Sequence, residues 1–120
     1  MRKRRLRYKR QLLYKDKKVE IVLIFWPSPS KSLPHDHGRS RGTIRVIEGE
    51  VYQDVFSKKT KKFLYRSYHA AGSIIKESLS TIHIMGNCGF RPARTVHTYR
   101  PPLKMKNYRF EELKFSDNVK

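Results

Sequence analysis

A chain of 120 residues with 28 Lys and Arg against 10 Asp and Glu, formal charge +18, is long enough for one small domain with a modest core. Its 38% apolar share includes seven Tyr and six Phe, which suits a strand-rich globule. No apolar run approaches the roughly 18 residues of a membrane-spanning helix, which argues against a membrane partner. The lone Cys88 excludes an intrachain disulfide and a Cys-x-x-Cys zinc site. The Arg-rich start has no apolar run behind it and reads as neither secretory signal nor anchor, so a cytoplasmic protein is expected.

The domain is expected to span 1–120, with residues 1–7 disordered or the remnant of a helical N-terminus; only the first dozen residues look helical or disordered at all. Ten of the 28 basic residues fall between Arg2 and Lys18, and a second cluster comprises Lys58, Lys59, Lys61 and Lys62. Such a field attracts phosphate polymers without sequence preference. A solvated basic surface is the first reading and an anionic partner such as nucleic acid the second. No zinc-finger, RNP or helix-turn-helix pattern supports base-specific recognition.

Val19 to Trp26 is β-branched and aromatic, too short for a buried helix, and reads as a central strand. Pro27 to Pro34 carries three prolines and reads as a loop, because proline removes ladder donors and fixes φ. The loop delivers the chain to His35-Asp36-His37. On an extended strand alternate side chains share a face, so His35 and His37 point together while Asp36 turns away. Imidazole suits iron, copper, zinc or nickel, and a third histidine from a distant strand would complete a facial set.

Thr43–Ile47 and Val51–Phe56, joined through Glu48-Gly49-Glu50, read as a hairpin. Further strands are expected at Phe63–Tyr68, around Ser73–Lys76, at Thr81–Met85 around His83, and at Thr95–Tyr99 before Pro101-Pro102 stops the run. Asn87-Cys88-Gly89 is a turn, and Tyr108-Arg109-Phe110 would add an edge strand. Many short strands at turn-marked intervals predict an all-β fold, a sandwich or a cupin-like double-sheet β-barrel.

Tyr8 to Leu12, the run Pro34-His35-Asp36-His37-Gly38 with Gly42 and Glu48-Gly49-Glu50, and His83 followed by His97-Thr98-Tyr99-Arg100-Pro101-Pro102 together resemble the cysteine dioxygenases, cupin-fold thiol dioxygenases, over most of the chain. The resemblance implies one Fe(II) per chain held by His35, His37 and His83. It implies that Arg10 clamps the substrate carboxylate, with Tyr8 beside it or simply packed as an aromatic. It also implies that Thr95 orients His97, and His97 orients Tyr99 toward the substrate carboxylate or oxygen at the iron. Thr95, His97 and Tyr99 do alternate, so they share one strand face.

The related mercaptopropionate dioxygenases tend to carry glutamine at the Arg10 position, and Gln11 stands next to it. Gly42 occupies the place of a cupin's ligating acid, consistent with three-histidine iron chemistry. Mammalian cysteine dioxygenases carry there a cysteine that crosslinks to the active-site tyrosine, so Tyr99 is expected unmodified, as in bacterial-type members. The segment before Arg10 is shorter than the family's helical N-terminus, so an open pocket wall is expected. The function implied is oxidation of L-cysteine with O2 to cysteine sulfinate by a monomer. The alternatives are a 3-mercaptopropionate or other small-thiol dioxygenase, a zinc or nickel cupin isomerase, or a non-catalytic basic cupin.

Overall fold

A computed structural model describes residues 7–114. Two antiparallel sheets face one another. The first orders its strands β1 (Lys9–Lys15), β2 (Glu20–Trp26), β10 (Ala93–Arg100), β5 (Arg41–Glu48) and β8 (Ile74–Glu77). The second runs β11 (Lys106–Asn107), β4 (His35–Asp36), β9 (Thr81–Asn87), β6 (Glu50–Ser57) and β7 (Phe63–Ala70), with β3 (Ser30–Lys31) also on β9. The all-β double-sheet expectation holds.

Period-two patterning builds the interior. Val22, Ile24 and Trp26 of β2 are buried while their alternates are half-exposed, and β10 does the same with Ala93, Thr95, His97 and Tyr99. With Ile44, Val46, Val51, Ile75 and Met85 the apolar members form the core between the sheets. A second cluster, Phe56, Ile82, Ile84, Tyr108 and Leu113, lies where the C-terminal segment covers β6 and β9, so both faces of those strands are buried. Each large side chain sealed this way contributes roughly 1.5–3 kcal/mol.

Three expectations are corrected. The first dozen residues are neither helical nor disordered throughout: residues 1–6 lie outside the described residues, but Lys9–Lys15 forms a strand on the open edge of β2, with Arg10 opposite Ile24. The expected hairpin does not pair with itself. β5 bonds to β10 and β8, β6 to β7 and β9, and Gly49 carries the chain from one sheet to the other. Gly49 has φ of +72°, and a Cβ there would meet Pro92 O at 2.6 Å. Gly49→Ala therefore should lower the melting temperature, costing more than about 1 kcal/mol in a denaturant titration; an unchanged midpoint would show the corner to be permissive. Finally, the Tyr108–Phe110 edge strand is displaced. The short strand β11 pairs with β4 two residues earlier, and Phe110–Glu112 is a 3-10 turn whose Arg109 backbone N–H is capped by Glu112 Oε2.

Candidate metal centre

His35 and His83 are direct cross-strand partners in β4 and β9, and His37 follows two residues later on the same face. Asp36 points the other way, accepting hydrogen bonds from Tyr108 Oη (2.5 Å) and from the Gly38 backbone N–H (2.8 Å). His83 Nε2 lies 2.9 Å from His35 Nε2 and 3.3 Å from His37 Nε2, and one nitrogen from each ring falls within 4.8 Å of the others. All three rings are buried.

The outward partners fix the tautomers. Burial pushes the imidazoles below their ordinary range, His37 to about 3, so they are neutral and each carries one proton. His35 Nδ1 faces Leu33 O at 2.8 Å, an acceptor, so its proton sits there. His83 Nδ1 faces Gln53 Oε1 at 3.0 Å, as that amide is assigned, and is protonated for the same reason. Two bare Nε2 lone pairs then face each other at 2.9 Å, which is repulsive unless a cation lies between them. Nitrogens this close fit ligands on one divalent ion at roughly 2 Å. The donor set therefore suits a metal.

Beside this cluster, β10 presents a polar chain. The Trp26 indole N–H can only donate, and it bonds Thr95 Oγ1 at 2.8 Å. Thr95 is fully buried, and among the described residues its hydroxyl hydrogen has His97 Nε2, at 2.6 Å, as its acceptor; in that tautomer His97 Nδ1–H donates to Tyr99 Oη at 3.0 Å. The Tyr99 O–H remains available to a ligand. Burial pushes the Tyr99 phenol above its ordinary value despite the field of Arg10, so it stays a donor. Tyr99 is tilted against His37 with ring centres 5.3 Å apart. A Cβ at Gly42 would stand 3.3 Å from Tyr99 Cε1, so glycine leaves the phenol unencumbered on that edge.

Arg10 lines the inner cavity together with His35, His83, His97 and Tyr99. Arg10 faces Ile24, whose side chain is buried, whereas Gln11 pairs with Leu23 on the other face of the sheet. Tyr8 stacks on Trp26 (centroids 4.8 Å) and lines the cavity as well, so its packing and cavity readings are compatible. The inner cavity, about 20 Å³, has room for little more than one water, and Met85 and Met105 help to enclose it. Through Tyr8, Arg10 and Ser32 it adjoins an outer mouth of about 620 Å³ that also carries Arg7 and Lys31.

A family model described as cysteine dioxygenase type I matches residues 4–112. The chain belongs to this family. Family membership together with the three-histidine cluster supports a thiol dioxygenase-like oxidoreductase acting on a small thiol and O2 at a metal site. An uncharacterised Klebsiella pneumoniae protein with a double-stranded β-helix domain is similar in structure, with TM-score 0.74, 17% identity and 90% of each chain covered. An RmlC-like cupin from Methanocaldococcus jannaschii is similar too, with TM-score 0.66, 15% identity, and 78% of this chain and 80% of that one covered. At these identities the likeness shows the double-stranded β-helix fold alone. Among the described residues no helix is long and apolar enough to cross a membrane.

Sequence reasoning missed Trp26, Gln53 and Glu77. Each has the parity of an inward position, Trp26 with Val22 and Ile24, Gln53 with Val51 and Val55, Glu77 with Ile75. A polar residue in phase with buried neighbours was the available signal.

His97 makes a pH prediction. Burial lowers it to about 3 from 6.5, with the fields of His37, His35 and Arg10 adding to the effect. Between those values the unfolded chain binds the extra proton and the folded protein does not, so stability present above pH 6.5 is lost as pH falls. The melting temperature of the metal-free protein should drop from pH 6.5 downward, less steeply in His97→Gln. Parallel curves for the two proteins would contradict the assignment.

Proposed function

We propose that this cysteine dioxygenase family member is an iron(II)-dependent enzyme that oxidises L-cysteine with O2 to cysteine sulfinate. Both oxygen atoms enter the product, and the sulfur supplies every electron that O2 takes up, so no further reductant is needed. The observation that carries the reading is the convergence of bare imidazole nitrogens, a free phenol O–H and a guanidinium on one narrow cavity.

His35, His37 and His83 would hold the iron, and three neutral ligands leave its dipositive charge available to a thiolate. Iron(II) bound there supplies the oxygen chemistry and lowers the thiol pKa. Arg10, a planar fork of donors on the cavity side of β1, holds the substrate carboxylate in two directions and so fixes where the sulfur lies. Tyr99 donates its O–H toward the carboxylate or the reacting oxygen. Trp26, Thr95 and His97 keep that donor aimed by setting the direction of every hydrogen bond behind it. Met85, Met105 and the Tyr8–Trp26 stack restrict water.

The pairing of Gln11 with Leu23, away from the cavity, favours Arg10 as the carboxylate partner and hence cysteine over 3-mercaptopropionate. The exposed free thiol of Cys88 suits a reducing compartment such as the cytoplasm. Oxygen uptake by the iron-loaded protein with the two thiols side by side tests the substrate. Cysteine should give the higher kcat/KM; equal or faster use of mercaptopropionate would overturn the assignment.

A further inference from the structure

We propose that Glu77 is a positioning residue of the metal centre, a buried carboxyl that holds His83 from behind and strengthens its grip on a divalent ion. The proposal rests on reading His35, His37 and His83 as metal ligands. It adds an acidic partner where the region after the His-x-His pair supplies none.

The backbone explains how an acid comes to lie there. β8 pairs antiparallel with β5, setting Ile75 opposite Ile44 and Glu77 opposite Gly42. Ile44 and Ile75 are both buried, so two residues along, Gly42 and Glu77 face the same interior. A side chain on residue 42 would compete for that space, since a Cβ there would lie 3.2 Å from Glu77 Cγ and 3.3 Å from Glu77 Cβ. The glycine that leaves Tyr99 clear on one side leaves Glu77 room on the other.

The Glu77 side chain is only 5% exposed, and its Oε1 has no hydrogen-bond partner. Burying a carboxyl without a partner is costly, and no Lys or Arg pairs with it among the described residues. Its ionisable neighbour is His83, with Oε1 3.4 Å from Nδ1. That is ion-pair distance without the alignment of a hydrogen bond, which the His83 N–H makes to Gln53 Oε1. Gln53 and Glu77 thus bracket the nitrogen that faces away from the other two rings. An acidic group behind a ligating imidazole keeps the proton on the outer nitrogen and makes the inner one a better donor. With no cation beside it, burial pushes the Glu77 carboxyl up to about 8. A dipositive ion held by three neutral imidazoles would favour its ionised form, and Glu77 is the buried carboxyl in place to offset that charge.

The test is metal affinity rather than turnover. Metal-free wild-type protein and Glu77→Gln, which keeps the shape and removes the acid, are titrated anaerobically with Fe(II), and separately with Co(II), against a chelating indicator. Melting temperatures of both metal-free proteins are measured alongside. Glu77→Gln should bind about 10–100-fold more weakly with its metal-free stability undiminished. Equal affinities would overturn the role of Glu77 and leave the three-histidine reading standing. A loss of affinity matched by a loss of metal-free stability would assign Glu77 to packing and also overturn it. Wild-type protein that binds neither ion would remove the metal-centre reading and this proposal together.

Discussion

His83→Ala should lose iron altogether under conditions where the wild-type chain retains about one per molecule, and oxygen uptake with thiols should vanish with it. His83 is the hub of the cluster, since its Nε2 lies close to both other Nε2 atoms while its Nδ1 is anchored to Gln53. Removing it leaves His35 and His37, a pair two residues apart on one segment, and two donors hold a divalent ion far less firmly than three. The loss should exceed the roughly 10–100-fold that outer partners of a ligand are worth. The fold should survive, because the β9 backbone keeps its ladder to β6 and the alanine relieves the crowding of two bare nitrogens. Iron analysis and circular dichroism of the purified variant check both halves. A variant that keeps its iron would place the metal elsewhere.

Arg10→Gln should cut kcat/KM for cysteine by about 10- to 150-fold, the worth of a charged hydrogen-bonding pair at roughly 1.5–3 kcal/mol. Turnover of 3-mercaptopropionate should fall much less, since glutamine is what dioxygenases of that thiol tend to carry at this position. Arg10 sits on an exposed edge strand, so little stability is at stake. Steady-state oxygen uptake with both thiols reads the difference. Equal losses for the two substrates would remove the carboxylate clamp from Arg10.

What could be read from residues alone was what depends on period two. His35 and His37 share a face, Asp36 turns away, and Thr95, His97 and Tyr99 line one side of a strand, all consequences of local backbone geometry. The partners of strands are not local. The segments flanking Gly49 look like two arms of a hairpin, yet the corner sends them to opposite sheets, because the pairing that buries Ile44 and Val46 on one side and Val51 and Val55 on the other needs each arm beside a distant strand. Glu77 stayed hidden for a similar reason. Its inward parity is legible once β8 is extended past Lys76, but its proximity to His83 depends on β8 and β9 lying on facing sheets. The basic N-terminal run also disguised β1, whose residues are all exposed and carry no burial pattern.

The most direct test of the central claim is to supply isotopically labelled O2 to the iron-loaded protein with L-cysteine and weigh the product by mass spectrometry. The account predicts cysteine sulfinate with both oxygens of the sulfinate labelled, formed in step with the O2 consumed and absent when the iron is removed. Iron-loaded protein that returns only disulfide, or a product carrying no label, would contradict it.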